Sequence, residues 1–502
     1  MKDDLANRSF QAVLWNYFGG IGKIFSQLAI QVWLARTLGP EIFGKYTAVL
    51  VVVGFGWLLA DSGFGAALIQ KDKITNDDVS YAFGWVLTLS FVIGMLVILF
   101  APQLAGFLGD ASLALPIAVC GPIIVLQALS NISVSLMLRD LDAKRCQIIQ
   151  LSGYLVGFGV VAVSLAHFGA GVWSLVIGFM VQAMLVLLFA YSVVRHTLKP
   201  LLKGNVEFRN FGLNVLGTNL ANWSIENLDR IIIGRQWGIA SLGAYAAANN
   251  LSRSPTSLMV NSVQSVVFSS ASRVQNDSER MRRGYTALIS LTTLITLPVF
   301  VLLGLKAEFV IHLLYGSRWD EAIPLFSVFC VVVPFYVLLA VTGPALWATG
   351  AVAVEFKIQM FSAIALVIGF VTFADYPLKN AVWIIPCIYF IRFSLVYLAL
   401  AKSIQLTHSK TMRALLGGIV LALLATLVVF ISGEFIPVTL MSQHGLDLAQ
   451  FLLPAVVCWS ALHLFPGLLI GDDLARLLIS RSTDSKIARL FCRVIALKTG
   501  MP

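Results

Sequence analysis

Charged residues are scarce in this chain of 502 residues. Only 12% of the residues are Asp, Glu, Lys or Arg, against about 25% in an ordinary soluble domain, and 58% are hydrophobic. This composition argues against a soluble globular fold. The formal net charge is +10, but no dense run of basic residues with interleaved aromatic residues occurs, which argues against nucleic-acid binding.

Cysteine and processing signals are also scarce. The six cysteines are scattered singly, with no CxxC pair and no metal-ligand spacing. The sequence therefore predicts no disulfide framework, no metal centre and no cofactor. The N-terminal stretch is short and polar, and the first apolar run is too long for the core of a signal peptide, so we expect no cleavable signal.

Long apolar runs take up most of the chain. A helix needs about 20 predominantly apolar residues to cross a bilayer. Apart from closed β-barrels, only helices pair all their backbone hydrogen-bonding groups inside the lipid. The pattern predicts an all-α polytopic membrane protein with about 14 transmembrane helices. The predicted spans are 11–35, 46–69, 81–101, 113–136, 148–166, 171–194, 210–234, 242–271, 285–305, 322–346, 358–373, 381–401, 414–431 and 449–470.

Basic residues alternate from one connection to the next. Of the 35 Lys and Arg residues, 25 lie in the termini and the even-numbered connections, 6 in the odd-numbered connections and 4 within spans. Cytoplasmic loops carry such an excess, so both termini are predicted to be cytoplasmic. In the tail, 471–502, apolar residues recur at helical spacing with basic residues on another side, which fits a basic amphipathic helix on the membrane surface and equally a frayed basic tail.

Two stretches 199 residues apart share one spacing. RTLGPEIFGKYTA begins at Arg36 and RQWGIASLGAYAA begins at Arg235, and both read R-x2-G-x4-G-x-Y-x-A. Each follows the first helix of a group of six. Transporters are commonly built from such repeats, with the substrate bound between them. We therefore expect two parallel six-helix lobes, 1–204 and 205–402, followed by helices 13 and 14 in 403–470.

Three predicted spans carry polar stripes at helical spacing. A charge at mid-bilayer costs at least ~3 kcal/mol, so these stripes are expected to face water rather than lipid. Because the repeat makes helices 1 and 7 equivalent, and likewise 2 and 8, we expect the stripes to converge on a hydrated cavity. The stripes are Asn16, Lys23, Gln27 and Gln31 on helix 1, Asn219, Asn222, Glu226 and Asp229 on helix 7, and Asn250, Ser254, Ser257, Asn261 and Gln264 on helix 8.

Lys23 and Arg253 are the preferred candidates for an anionic ligand. Neither has an obvious partner nearby in the sequence, and both side chains suit phosphate oxygens, Arg through a bidentate fork and Lys as a point charge. The predicted substrate-binding set also contains Arg230, Asn249, Asn250, Gln27 and Asn222. The candidates for carrying a coupling ion, H⁺ or Na⁺, are Asp61, Glu226 and Asp229.

Structural roles remain open for several of these charges. Glu226 and Arg230 have the i,i+4 spacing of an ordinary helix ion pair. Asp61 lies near the end of helix 2 and is equally suited to orienting that end. Arg392, in helix 12, is better explained by a bond to a carbonyl between helices than by ligand binding.

The residues described so far resemble the polysaccharide exporters of the multidrug/oligosaccharidyl-lipid/polysaccharide superfamily, most closely the colanic-acid and succinoglycan exporter type. The resemblance spans at least the first twelve helices. It is carried by ARTLGPEIFGKYTAVLVVVGFGWLLADSGFGAALIQKDKIT (35–75), LMLRDLDAKR (136–145), LDRIIIGRQWGIASLGAYAAANNLSRSP (228–255), SSASRVQNDSERMRRGY (269–285) and LLYGSRWDEAIPLF (313–326).

This resemblance implies a two-lobed transporter of the bacterial inner membrane with no soluble catalytic domain. It implies that undecaprenyl-diphosphate-linked oligosaccharide is flipped to the periplasmic leaflet by alternating access, coupled to an ion. A polymerase and a chain-length regulator would be its partners. The resemblance also implies a cationic cavity, whereas the deep charges here are mixed in sign, with Glu226, Asp229 and Glu355 among them.

Three other functions were weighed against this one. A membrane polymerase or glycosyltransferase usually places catalytic groups in a large periplasmic loop, but the longest odd connection, 432–448, holds only Glu434 and Asp447 and no basic residue. A small-cation or drug antiporter would need an acid-dominated cavity. A membrane scaffold without transport would leave the buried charges unexplained.

Overall fold

A computed structural model describes residues 2–71, 73–202, 206–274, 277–435, 443–465, 469–470 and 473–474. Within the helices, some side chains lie outside this description, including those of the first 21 residues and that of Lys23. Every long regular element in the described ranges is helical. The predicted amphipathic tail lies outside the described residues, apart from Asp473 and Leu474.

Eighteen α-helices follow one another along the described chain. Helices α6 and α7 are joined by a π-helical stretch, Leu155–Ala162, so the three form one continuous helix. The helices are α1 (Lys2–Asp61), α2 (Phe64–Gln70), α3 (Asn76–Leu99), α4 (Ala101–Phe107), α5 (Ala114–Arg139), α6 (Ala143–Tyr154), α7 (Val163–His167), α8 (Val172–Val193), α9 (Val206–Trp237), α10 (Ile239–Arg273), α11 (Ser278–Leu305), α12 (Ala307–Leu314), α13 (Ala322–Ala348), α14 (Val352–Thr372), α15 (Leu378–Ala381), α16 (Ile384–Ile404), α17 (His408–Phe435) and α18 (Gln443–Leu464).

Eleven helical segments among the described residues are long and apolar enough to cross a membrane. One of them, Ile24–Asp61, is 38 residues long and contains a break, so it covers two predicted spans. Helices α9 and α10 coincide with predicted spans 7 and 8 but are too polar to be among the eleven. The polytopic all-helical fold is confirmed, while the number fourteen stays a prediction.

The break in α1 lies at Gly39, where φ is +78°. A residue before proline avoids the α conformation, and Pro40 then begins the next helix without needing its missing N–H. Gly238, with φ +89°, separates α9 from α10 at the equivalent position of the second motif copy, where isoleucine follows in place of proline. The connections predicted at 36–45 and 235–241 are therefore nearly absent, because polar residues near a membrane surface end an apolar run without ending the helix.

The described chain divides into two compact units. The first contains residues 1–247, 314–319 and 370–378, and the second contains the remainder. In the first unit, α5 packs between α3 and α8. In the second, α13 packs against α11 and α16, and α11 also packs against α17. Helix α13 is the most buried of the candidate spans, which explains why its apolar residues run almost without interruption. The lobe boundaries drawn from the sequence stay predictions.

The two copies of the repeated motif contact each other within the first unit. A Cβ atom added at Gly44 would lie 1.8 Å from the carbonyl oxygen of Ile239, and one added at Gly243 would lie 1.9 Å from that of Pro40. Gly44 and Gly243 are equivalent in the repeat, and so are Pro40 and Ile239. The contact is therefore reciprocal, as expected of two copies related by an approximate two-fold axis.

The motif arginines have reciprocal surroundings as well. The Arg36 Nε donates to the carbonyl oxygen of Leu314, the last residue of α12, at 2.7 Å. The Arg235 guanidinium lies 5.2 Å from the ring centroid of Phe107, at the end of α4. Arg36 of α1 thus contacts the end of α12, and Arg235 of α9 contacts the end of α4. In each case the contacted helix is the third after the helix that carries the other arginine. These contacts support the internal repeat predicted from the spacing.

A largely half-buried charge cluster lies beside this contact. The Lys45 Nζ lies 3.0 Å from Glu41 and 3.7 Å from Asp110. Burial raises the pKa of the Asp110 carboxyl, but hydrogen bonds from Ser112 and the charge of Lys45 outweigh burial and hold that pKa below its ordinary value. Asp110 is therefore ionised at neutral pH.

Candidate functional site

Asp61, a predicted ion-coupling residue, is held by neutral donors in the first unit. It is the last residue of α1, and Asn131 of α5 donates to its Oδ1 at 2.7 Å. The backbone N–H groups of Gly63 and Gly65 also donate to this carboxylate. Gly63 has φ +75°, and a Cβ there would lie 2.5 Å from the Gly212 carbonyl oxygen, so the turn after Asp61 requires glycine. These contacts show how Asp61 is oriented.

Asp229 on α9 contacts a tyrosine of the repeated motif. The Tyr245 hydroxyl donates to its Oδ2 at 2.5 Å. The neighbouring Arg230 lies 3.4 Å from the Asn227 side-chain oxygen, and its Nε is buried without a partner among the described residues. Glu226, four residues before Arg230 on the same helix of the described chain, is exposed and forms no ion pair with Arg230. The spacing that suggested an i,i+4 pair does not produce one here.

Arg253, the preferred anion ligand, lies between two tyrosines in the second unit. Its Nη2 donates to the Tyr389 hydroxyl at 2.8 Å. Its guanidinium carbon lies 4.9 Å from the ring centroid of Tyr336 and 6.0 Å from that of Tyr389. Cation–π contact and the hydrogen bond fix the orientation of the guanidinium.

Arg392 has a very different partner, one turn further along α16 than Tyr389. Its Nη2 lies 3.1 Å from Glu355 Oε1, and both side chains are largely buried. The Trp347 Nε1 donates to the other Glu355 oxygen at 3.2 Å. Arg392 therefore pairs with a carboxylate on α14, whereas the sequence suggested a carbonyl. The negative charge of Glu355 offsets its own, which argues against a role in binding an anion.

The remaining predicted residues lie in both units. In the first, Gln27 is half-buried, its backbone oxygen 3.5 Å from the Tyr154 hydroxyl, and Asn222 is exposed. In the second, Asn249 lies one turn before Arg253 on α10, and its buried Oδ1 has no partner in the described ranges. Asn250 beside it is half-buried. The side chain of Lys23 lies outside the described residues.

The structure adds residues that the sequence did not single out. Tyr336 and Tyr389 hold Arg253, and Asn131 holds Asp61. Glu355, already counted among the deep charges, is now seen to hold Arg392. Tyr245 alone had a visible signal, because it is an invariant position of the two motif copies. Among the described residues, no group of three or more His, Cys, Asp and Glu side chains could hold a metal ion.

Two-unit helical architecture, an internal repeat and charges within membrane helices define a class of protein, the polytopic transporters built from repeated helical bundles. The fold is similar to that of the lipid II flippase MurJ in an inward closed conformation, with a TM-score of 0.73 and 15% identity over 91% of this chain and 98% of that one. The chain belongs to the family described as "Polysaccharide biosynthesis protein", which matches residues 33–324.

Curated relatives are similar over most of their length. The succinoglycan biosynthesis transport protein ExoT of Rhizobium meliloti (strain 1021) is 26% identical over 353 residues, covering 70% of this chain and 71% of ExoT. The lipopolysaccharide biosynthesis protein WzxC of Escherichia coli (strain K12) is 25% identical over 380 residues, covering 73% of this chain and 76% of WzxC. The resemblance to polysaccharide exporters inferred from the sequence is thereby confirmed.

Proposed function

We propose that this protein flips undecaprenyl-diphosphate-linked oligosaccharide repeat units across the bacterial inner membrane, by alternating access, for the synthesis of exopolysaccharide or lipopolysaccharide. Membership of the polysaccharide biosynthesis family supports this, as do relatives named for succinoglycan transport and lipopolysaccharide biosynthesis. The excess of basic residues in alternate connections supports a cytoplasmic location for both termini. The same relatives favour transport over sugar transfer.

The observation that carries the proposal is the Arg253 guanidinium between two tyrosines. Its helix, α10, is predicted to cross the membrane, where a diphosphate would otherwise be costly to bury. A guanidinium can meet two phosphate oxygens at once, and cation–π contact with Tyr336 keeps its plane fixed while it does so. We therefore assign Arg253 to the diphosphate, with Lys23 and Arg230 as further cationic groups.

Neutral polar side chains suit the sugars of the repeat unit. The Asn249 side-chain oxygen, buried and without a partner among the described residues, can accept a hydrogen bond from a sugar hydroxyl. Asn250, Asn222 and Gln27 are proposed for the same role. Each would exchange water for hydroxyl groups at little cost.

The prenyl tail requires apolar surroundings. The first unit contains an apolar cavity of about 500 Å³. Its lining includes four aromatic side chains, Phe55, Phe100, Phe107 and Trp223. An isoprenoid chain that entered this cavity would bury its own apolar surface together with that of the lining side chains. The cavity is consistent with a lipid-linked substrate.

Ion coupling and partners complete the proposal. Asp61, Glu226 and Asp229 are proposed to carry the coupling ion, H⁺ or Na⁺. The first and last of these are already held by neutral donors, Asn131 and Tyr245, which would stay bonded when the ion leaves. A polymerase and a chain-length regulator are proposed to take over the flipped repeat unit.

The proposal is tested by complementation of a strain that lacks the gene. Arg253→Ala should abolish polymer export and cause lipid-linked repeat units to accumulate, as should Lys23→Ala. Arg253→Lys should restore export in part, since lysine keeps the charge but loses the fork. Tyr389→Phe removes one hydrogen bond to a charged group, worth ~1.5–3 kcal/mol, and should lower export by roughly tenfold or more.

Matched controls separate transport from folding. Arg280→Ala, which removes a 77% exposed arginine side chain, should leave export unchanged. Membrane insertion of each variant is measured by immunoblot of the membrane fraction. Normal export by both Lys23→Ala and Arg253→Ala would refute the proposal. A deletion strain that becomes drug-sensitive without accumulating lipid-linked repeat units would instead indicate a drug antiporter.

A further inference from the structure

A polar cavity lies among four helices of the first unit, apart from every residue assigned above except Asn131. Its volume is about 140 Å³. Gln127 lies twelve residues before the end of its candidate span at Arg139, and Gln182 lies ten residues after the start of its span at Val172, so both lie near mid-membrane. The polar residues of the lining are Trp57, Gln127, Ser130, Asn131, Gln150 and Gln182.

Two of these side chains are already engaged. Asn131 donates to Asp61 at 2.7 Å, and the Ser130 hydroxyl donates to the Gln127 carbonyl oxygen at 2.8 Å. In contrast, no side-chain hydrogen bond joins Gln127, Gln150 or Gln182 to another residue in the part of the chain that the structure describes, and none of their amide atoms is sealed from solvent without a partner. Each amide offers two donors and an acceptor oxygen.

Three uncommitted amides on three helices need water or another hydrogen-bonding guest at this depth. A polar group left unsatisfied in the hydrocarbon region costs several kcal/mol. All three glutamines are only half-buried, so the cavity they line is accessible rather than sealed. The arrangement is therefore one that a hydrogen-bonding guest would stabilise.

The chemistry of the lining selects the guest. The lining side chains carry no formal charge, so they would not offset a phosphate or a carboxylate. Amides both donate and accept, which matches the hydroxyl groups of a sugar, and the Trp57 ring offers a flat face to the apolar side of a sugar ring. The volume is close to that of an engineered cavity of about 150 Å³ that binds benzene, so it suits a guest about the size of one six-membered ring.

We infer that this cavity binds one neutral sugar residue of the transported repeat unit. The inference rests on the proposed function, since a flippase for lipid-linked oligosaccharide must accommodate its sugars within the membrane. A site that hydrogen-bonds hydroxyl groups strongly rejects a sugar that leaves its amides unpaired. Gln127, Gln150 and Gln182 would therefore help to determine which repeat unit is accepted.

The test is direct binding of free sugars to the purified full-length protein in nanodiscs. Saturation-transfer NMR is recorded with D-glucose, D-galactose, D-mannose, L-rhamnose and N-acetyl-D-glucosamine. At least one sugar should bind the wild type. Gln150→Leu and Gln182→Leu, which replace an amide by an apolar group of similar size, should each weaken that binding by tenfold or more. Trp57→Phe, which keeps an aromatic ring, should weaken it less.

Controls make each outcome decisive. Gln103→Leu removes an exposed amide outside the cavity and should leave binding unchanged. Size-exclusion profiles identify any variant that fails to fold, and the remaining glutamine variant then decides. Absence of binding by every sugar, or binding that survives both leucine variants, overturns the inference. Sodium binding that is lost in Gln182→Leu while all sugars are silent also overturns it, in favour of a cation site.

The proposed function is measured separately, as translocation of lipid-linked repeat units by wild-type proteoliposomes. Translocation without sugar binding overturns the cavity assignment and leaves the flippase proposal standing. Sugar binding through these glutamines without translocation overturns the flippase proposal and supports the cavity assignment.

Discussion

Replacing either glycine of the helix crossing in the first unit by alanine should force the two copies of the repeated motif apart. The added Cβ at Gly44 would stand 1.8 Å from a backbone oxygen of Ile239, whereas real Cβ contacts essentially never fall below 3.0 Å. The helices must therefore separate locally by about 1.2 Å. The obstacle is backbone, so no side-chain rotation can relieve it. Overpacking of this kind costs ~1–3 kcal/mol.

The reciprocal geometry gives a sharper expectation for the double variant. Gly243→Ala meets Pro40 at 1.9 Å, so it requires nearly the same separation as Gly44→Ala. Once the helices have moved apart for one alanine, the second costs little. The double variant should lose clearly less stability than the sum of the two single variants, with a coupling of about 1 kcal/mol or more.

The assay is unfolding of the purified protein in detergent, compared with Gly217→Ala. Gly217 lies inside α9 with nothing within 4 Å of its added Cβ, so that variant gains helix propensity without a clash. It should be at least as stable as the wild type. The reasoning is refuted if Gly44→Ala and Gly217→Ala are equally stable, or if the two losses at the crossing simply add.

Three further predictions concern other contacts. Glu355→Leu leaves Arg392 without its carboxylate and should destabilise the fold by ~3–5 kcal/mol, seen as a sharply lower folded yield on size exclusion. The double variant, Glu355→Leu with Arg392→Leu, should recover most of that yield. A normal yield from the single variant would contradict this. Tyr245→Phe removes the hydrogen bond to Asp229 and should lower the free energy of unfolding by ~1.5–3 kcal/mol, measured as a lower unfolding midpoint. An unchanged midpoint would show that this bond does not stabilise the fold. Because the pKa of Asp110 is depressed on folding, its contribution is present above its ordinary pKa of about 4 and disappears as the pH falls below it. Wild type and Asp110→Asn should therefore differ in stability at pH 7 and converge in acid, and a constant difference would exclude the carboxylate as the cause.

Hydropathy and residue spacing predict the membrane spans, the break in α1 and the internal repeat. Apolar runs locate the spans because the lipid core excludes unsatisfied backbone, and the Gly39–Pro40 pair marks the break in α1 because of its local conformational restrictions. The motif spacing predicts the repeat, and the reciprocal contacts of Gly44 and Gly243 support it. These features depend on residues close together in the sequence.

Partners distant in the sequence were beyond such reasoning. Arg253 and Tyr389 are 136 residues apart, and Glu355 and Arg392 are 37 apart on different helices. Which face of one helix meets which face of another depends on packing, which hydropathy does not encode. The three cavity glutamines were missed for a related reason, since one or two amides in each apolar span form no stripe. The position of the Lys23 side chain stays a prediction.

The reciprocal crossing at Gly44 and Gly243 also bears on the origin of the chain. A contact in which each copy presents the same surface is the kind that two identical subunits make across a symmetry axis. A half-length ancestor could therefore have paired with itself through this very segment, before gene duplication and fusion joined the halves. In the fused chain, a larger residue at Gly44 clashes with the second copy, and one at Gly243 clashes with the first. The two glycine positions are therefore expected to change together or not at all.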